Sequence, residues 1–216
     1  MNESTLTFDE WFKIISSFEN RDAMWEADQR VHDLPPNQAA DYLERLFNES
    51  STICKDLQPV PLSHMIWFFQ GICSSYWWEV REPEVPIEKQ VSTVLALKCF
   101  YTDFLDSYLL ITPGDLHEAE TAVYMMWDMD CLEGAAMFPE SNSSEHLVDP
   151  IFEVLRAALR CKAHACQQSA LHGLGHLAHY HPERVHAEID WALAEKGRLH
   201  ANLLSYAHDA RKGMIQ

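Results

Sequence analysis

The sequence is poor in the residues that strand-rich folds use at their turns. It has seven glycines and ten prolines among 216 residues, and a β-rich chain of this length generally needs more turn residues. Its longest apolar stretches, such as MIWFFQGIC, are far shorter than the roughly 20 residues that a membrane-spanning helix needs. These absences argue against a β-rich fold and against a membrane-spanning protein.

Export and cysteine signals are also lacking. The opening MNESTLTFDEW has neither the basic region nor the apolar region of a secretory signal peptide. The six cysteines form no CxxC pair, which argues against a zinc ribbon and a thioredoxin-like motif. We therefore expect a cytoplasmic protein whose cysteines are free thiols in a reducing compartment.

Positive charge is missing from one segment of the chain. Residues 99–155 carry twelve acidic residues and no Lys or Arg, whereas residues 156–216 have a net charge of +3 and the whole chain has −17. Such a field repels nucleic-acid phosphates and anionic membranes and attracts a basic protein partner. A solvated acidic face that only keeps the protein soluble is the alternative explanation.

Helical signals run along nearly the whole chain, and no segment is typical of a strand. TFDE at 7–10 is a capping-box pattern, with Thr7 as the cap and Glu10 reaching back. LSHMIWFFQGICSSYWWEV at 62–80 is apolar on nearly all sides and predicts a central buried helix, and 48–60 predicts a loop. Periodicity predicts further helices at 21–33, 87–110, 116–136, 148–161, 164–180, 183–195 and 198–210. The sequence therefore predicts an all-α fold of stacked antiparallel helices.

CQQSALHGLGHLAHYHPERVHAEIDWAL resembles one unit of a HEAT-type repeat, with two helices joined by a short turn. The small residues Ala170, Gly173 and Gly175 would permit close helix packing. The resemblance extends over 148–196 and, more loosely, over 87–136. It implies a stacked superhelix that serves as a protein-binding scaffold.

Two architectures are consistent with this pattern, a HEAT-like α-solenoid and an irregular helical bundle. We expect one all-helical domain over 1–216. An N-terminal helical subdomain over 1–81, packed on a HEAT-like part over 87–216, is the variant of this organisation.

Five of the twelve histidines lie between positions 164 and 181. If the apolar residues of this helix face the core, then His172, His176 and His179 form a stripe on the opposite face, at positions i, i+4 and i+7. Histidines at i and i+4 can chelate one metal ion, but Gly173 stands where a zinc protease has its glutamate. We therefore predict a metal-free stripe at the surface or in an interface.

A second pair, His117 and Glu118 in LHEAETAV, resembles one His-Glu pair of the deoxyhypusine hydroxylases, which are HEAT-type di-iron enzymes. That family has several such pairs on successive helices, and this chain has one. Glu118 near a helix start is explained by the helix dipole alone. If a metal site exists, its predicted ligands are His172, His176, His117 and Glu118.

No catalytic triad order, phosphate loop or dinucleotide fingerprint is present. We therefore predict a non-enzymatic macromolecule-binding protein without a cofactor, for example an acidic immunity or antitoxin-like protein that blocks a basic partner. The alternative is a metal-dependent enzyme with a His/Glu site on HEAT-like helices. A third hypothesis is a homo-oligomeric structural protein that associates through 62–80. The predicted partner-binding residues are Asp103, Asp106, Glu118, Asp128, Asp130, Glu133, His172, His176 and His179.

Overall fold

The computed structural model describes residues 6–72, 74–112, 114–128, 132–139 and 144–215. Every regular element within these ranges is a helix, and no strand is found there, so the predicted all-α fold is confirmed. Nor does any helix of the described part combine the length and the apolar character needed to cross a membrane. In chain order the α-helices are α1 (Phe8–Ile15), α2 (Arg21–Trp25), α3 (Gln29–His32), α4 (Pro36–Asn48), α5 (Ser50–Ile53), α6 (Pro59–Trp67), α7 (Tyr76–Glu79), α8 (Ile87–Cys99), α9 (Asp106–Ile111), α10 (His117–Tyr124), α11 (Glu133–Met137), α12 (Glu145–Arg160), α13 (His164–Leu177), α14 (Pro182–Ala194) and α15 (Leu204–Ala210).

The first helix begins at the predicted capping box. The Thr7 hydroxyl accepts a hydrogen bond from the Glu10 backbone N–H at 3.3 Å, and the Glu10 carboxylate accepts one from the Thr7 backbone N–H at 2.9 Å. These two bonds satisfy amide groups that a helix start otherwise leaves without partners. Trp11 and Ile15 on the inner face of α1 are fully buried.

The apolar run at 62–80 does not form the single helix that its composition predicts. α6 ends at Trp67, a π-helical turn covers Phe68–Ile72, and α7 begins only at Tyr76. The aromatic rings explain this break, because Phe68 and Tyr76 both enter the core and lie edge to face with centroids 5.7 Å apart. The prediction of a buried segment holds for these two residues, but that of a continuous helix is wrong.

Other helix boundaries also differ from the predicted ones. The segment 21–33 contains α2 and α3 rather than one helix, and the loop predicted over 48–60 contains α5. The long helix predicted over 87–110 is present as α8 and α9, joined by a π-helical turn at Phe100–Leu105. Local periodicity thus locates helical segments better than it locates the points where they end.

The helix predicted over 116–136 is interrupted as well. α10 ends at Tyr124, a 3-10 turn covers Met125–Trp127, and α11 begins at Glu133. Trp127 is buried, and its indole N–H donates to the Tyr101 hydroxyl at 3.0 Å. This anchor fixes the position of the next residue along the chain, Asp128.

Helix α13 lies in the middle of the C-terminal half of the fold. It packs against α10, α12, α14 and α15, and against the 3-10 turn that contains Trp127. Its buried residues therefore occupy every side of the helix rather than one stripe. The predicted surface stripe is wrong at His172, whose exposed fraction is 2%, because α10 and the 3-10 turn cover the face on which it lies. The HEAT-type repeat and the domain organisation stay predictions.

Candidate metal centre

Three side chains from two parts of the chain meet beside α13. His172 and His176 lie one helical turn apart, and Asp128 follows the 3-10 turn after α10. Asp128 Oδ1 lies 3.2 Å from His172 Nε2 and 3.0 Å from His176 Nε2, and the two Nε2 atoms lie 3.1 Å apart. Among the residues that the structure describes, this is the one group of three metal-ligand side chains within reach of a single ion.

The size of this triangle matches the spacing of ligands around a small divalent ion. Zinc binds imidazole nitrogen and carboxylate oxygen at about 2.0–2.2 Å, so neighbouring ligand atoms lie about 2.8–3.1 Å apart in octahedral and about 3.3–3.6 Å apart in tetrahedral geometry, a span of about 2.8–3.6 Å. All three measured separations fall within this range. The spacing of the three donor atoms therefore matches one face of a coordination polyhedron.

The local sequence explains how Asp128 reaches the two histidines. A Cβ atom at Gly173 would lie 2.8 Å from Trp127 Cγ and 2.8 Å from Leu155 Cδ2, which is closer than real side chains approach. Glycine at this position therefore lets Trp127 lie directly against α13, and Asp128 follows it. The residue that departs from the zinc-protease pattern is the one that permits this geometry.

Two tyrosines support the inner histidine. The Tyr206 hydroxyl lies 2.7 Å from His172 Nδ1 and 3.3 Å from the Tyr124 hydroxyl, and the Tyr124 ring packs edge-on against the His172 ring. Burial raises the pKa of Tyr206, so this residue stays a neutral hydroxyl. If Nε2 bound a metal ion, Nδ1–H would donate to the Tyr206 oxygen, and that bond would hold the ring in place.

The electrostatics of the site favour a neutral imidazole. Burial lowers the pKa of His172, and the neighbouring His176 lowers it further, while the hydrogen bond with Asp128 acts in the opposite direction. Neutral imidazole is the form that binds metal ions. The side chains of Asp128 and His176 are 33% and 27% exposed, so solvent reaches the outer side of the site.

The structure separates the four residues predicted as metal ligands. His172 and His176 are together, whereas His117 and Glu118 are exposed at the start of α10 and lie outside the cluster. Asp128, which the sequence placed only among the partner-binding residues, completes the site. It lies 44 positions before His172, and no local spacing rule connects residues so far apart.

The other predicted partner-binding residues have different surroundings. Asp103 is exposed, and Asp106 is half-buried with Oδ1 accepting from the backbone N–H groups of Lys162 and Ala163 at 2.7 Å each. Asp106 therefore stabilises the turn before α13.

Two more residues of that set are located by the structure, and one is not. Glu133 is 3% exposed, which removes it from any surface docking face. His179 is exposed in the turn after α13, apart from the metal-ligand cluster. Asp130 lies outside the described residues.

Comparisons of the chain with known protein families, with curated protein sequences and with solved structures find no match. The resemblance to a HEAT-type unit therefore stays a prediction from the sequence. The metal centre is inferred from the positions of its donor atoms and from their surroundings.

Proposed function

We propose that this protein binds a divalent transition-metal ion through Asp128, His172 and His176 and uses it as the centre of a metal-dependent enzyme. The observation that carries the proposal is the triangle of three donor atoms, with sides of 3.0, 3.1 and 3.2 Å. Without a cation, the two ring nitrogens and the carboxylate oxygen satisfy one another only through the protons of the histidines. One metal ion accepts lone pairs from all three atoms at once.

The ligand types select the class of metal. Imidazole nitrogen suits zinc, iron, nickel and copper, whereas magnesium and calcium prefer sites made of oxygen alone. Two histidines and one carboxylate are the ligands of catalytic zinc sites and of non-haem iron(II) sites. Zn²⁺ and Fe²⁺ are therefore the ions that fit this centre.

The number of ligands and their exposure favour catalysis over a purely structural role. Structural zinc sites usually have four protein ligands, whereas three ligands leave a position for water or substrate. Asp128 and His176 are partly exposed, so water or a substrate would reach a bound ion from their side of the site. A bound zinc ion would supply an activated water there, while Tyr206 and Tyr124 hold the inner histidine.

The test is metal binding by the purified apoprotein. We expect one equivalent of Co²⁺ to bind and to give the visible absorption typical of Co²⁺ with a low coordination number. Zn²⁺ should displace the Co²⁺ and abolish this absorption. The His176→Gln variant removes one donor at a partly exposed position, so the fold should be retained. Its affinity should fall by more than the roughly 10–100-fold that the loss of a hydrogen-bond partner of a ligand costs, since one of the three ligands is itself lost.

His179→Gln is the matched control, because it makes the same replacement a few residues further along at an exposed position outside the cluster. It should bind Co²⁺ as the natural protein does. Absence of stoichiometric binding in the natural protein, or equal affinity in the two variants, would exclude the metal centre.

Binding of a basic protein partner is the second candidate function. It is supported by Asp103 and Glu118, which are exposed and form no ion pair within the described part of the chain. The immunity-like role and the HEAT-like scaffold belong to this candidate. A double variant, Asp103→Asn with Glu118→Gln, should lose the salt-sensitive capture of basic proteins from a lysate of the native organism, whereas His176→Gln should not.

A further inference from the structure

A basic cavity lies at the opposite end of α13 from the metal-ligand cluster. Its volume is about 370 Å³, and it is formed by the end of α12, the turn before α13 and the loop over 195–200. Four cationic side chains line it, namely Arg160, Lys162, Lys196 and Arg198. They are a quarter of the sixteen Lys and Arg residues of a chain whose net charge is −17.

Most of this positive charge is not neutralised by the protein. Arg198 pairs with Glu195, with 2.6 Å between Nη2 and Oε2. Arg160, Lys162 and Lys196 have no ion pair with any carboxylate of the described residues. Concentrating like charges in one concave surface costs stability through repulsion, and a bound anion removes that repulsion.

The walls of the cavity are held by a buried glutamine. Gln167 Nε2 donates to the carbonyl oxygens of Cys161 and Arg198, both at 2.8 Å, and Gln167 Oε1 accepts from the His200 backbone N–H at 3.0 Å. The His200 ring, through Nε2, adds a bond to the Lys162 carbonyl at 2.7 Å. These bonds tie the turn before α13 to the loop over 195–200, so the cavity exists before any ligand binds.

An aromatic ring positions the two arginines. The guanidinium carbons of Arg160 and Arg198 lie 5.2 Å and 5.0 Å from the ring centroid of Trp191. Such a contact leaves the N–H groups at the edge of the guanidinium group for hydrogen bonds. Arg198 uses its Nε and Nη2 groups to donate to Glu195, which also lines the cavity. Arg160 has no such partner within the described ranges, so its planar donors lie beside the compact charges of two lysines.

We propose that this cavity is a binding site for the phosphate group of a small phosphorylated ligand. Arginine and lysine together are the side chains that recognise phosphate in proteins. The volume lies near the lower end of the roughly 300–1,000 Å³ found for small-molecule pockets, so the ligand is small. The site shares no residue with the metal centre, and the proposal stands independently of it.

The test is calorimetric titration with inorganic phosphate and with pyrophosphate, in the presence of a chelator that keeps the metal centre empty. We expect saturable binding of one anion, with pyrophosphate binding more tightly because it carries more charge. The double variant Lys162→Gln, Lys196→Gln should weaken binding by at least about tenfold, since two unpaired charges are removed. Both lysines are exposed, so circular dichroism should show an unchanged fold.

The matched control is the double variant Lys13→Gln, Lys212→Gln, which makes the same change in net charge at exposed positions outside the cavity. It should bind both anions as the natural protein does. Lack of saturable binding by the natural protein overturns the proposal. Equal weakening in both double variants also overturns it, because the anions would then respond only to net charge.

Discussion

The His172 ring is held from both sides, with Nδ1 2.7 Å from the Tyr206 hydroxyl and Nε2 3.2 Å from Asp128 Oδ1. A neutral imidazole has one N–H group, so it donates to one of these partners and accepts from the other. When Nδ1–H donates to Tyr206, Nε2 and Asp128 Oδ1 face each other as two acceptors. In the other tautomer the Tyr206 hydroxyl donates to Nδ1 and Nε2–H donates to Asp128, and all three groups are satisfied without a cation. A cation at Nε2 would select the first tautomer, in which Tyr206 accepts from Nδ1–H and orients the ring.

Tyr206→Phe removes the hydroxyl that bonds to His172 and leaves all three proposed metal ligands in place. We expect the Zn²⁺ affinity to fall by about 10–100-fold, the usual effect of losing a hydrogen-bond partner of a metal-binding histidine. Competition titration against a chelator measures the change. Tyr180→Phe, at an exposed position in the turn after α13, is the control and should leave the affinity unchanged. Equal affinities for the two variants would show that Tyr206 does not orient the site.

Gly173→Ala should destabilise the protein by about 1–3 kcal/mol, the usual cost of overpacking a core. The added methyl group would meet Trp127 and Leu155 at 2.8 Å, and both are buried. Urea denaturation measures the free energy of unfolding. The metal affinity should fall as well, because Trp127 must move and Asp128 follows it.

Gly175→Ala is the comparison within the same helix. The three atoms nearest to its methyl group all belong to the Ile215 side chain, and the closest of them is nearer than any atom that the Gly173 methyl group would meet. Ile215 follows α15 and is half-buried, so we expect it to move aside more easily than the buried Trp127. Helix propensity favours alanine over glycine by about 1 kcal/mol at both positions, so this effect cancels when the two variants are compared with each other. A Gly175→Ala protein as unstable as the Gly173→Ala protein would contradict the assigned role of Trp127.

Asp106→Ala should cost about 1–2 kcal/mol of stability, as the loss of other capping carboxylates does. The carboxylate accepts two backbone N–H groups at the turn before α13, and the variant leaves both without that acceptor. Asp103→Ala, an exposed acidic residue on the preceding turn, should change stability by less than about 0.5 kcal/mol. Thermal or urea unfolding of the two variants gives the difference, and similar values would mean that Asp106 is not a structural cap.

The stability of the protein should depend on His146 in mildly acidic solution. Burial lowers the pKa of His146 in the folded protein, against a weaker opposite effect of Glu145. The unfolded chain therefore takes up a proton at His146 more readily than the folded chain does. The free energy of unfolding thus falls as the pH drops below about 6.5.

His146→Gln removes this proton and retains a side chain that can bond to Gln90, whose Oε1 lies 2.9 Å from His146 Nε2. Between about pH 7.5 and pH 5.5, the natural protein should lose more stability than this variant. Urea titrations at the two pH values compare them. An identical loss in both proteins would assign the acid sensitivity to other groups.

The sequence predicts the features of this fold that depend on neighbouring residues. The capping box of Thr7 and Glu10 is found as predicted, because each partner lies within one helical turn of the other. The interruption near Phe68 was not predicted, because it depends on the rings that surround this residue in the core.

The metal centre shows the same limit. The i and i+4 spacing indicates that His172 and His176 share a face, but a helical wheel assumes that the opposite face is the buried one. That assumption placed His172 at the surface. In the structure, buried residues lie on every side of α13, and His172 is one of them. Asp128 comes from a separate segment, and only the packing of Trp127 against Gly173 brings it to the histidines.

The three donor groups of the centre differ in their access to solvent. His172 is 2% exposed, whereas the side chains of Asp128 and His176 are 33% and 27% exposed. Backbone amides of a packed helix exchange with solvent only when large parts of a protein unfold, so the histidine pair on α13 is as persistent as the fold itself. An ion would meet Asp128 and His176 before His172, and its exchange would not require the helix to unfold.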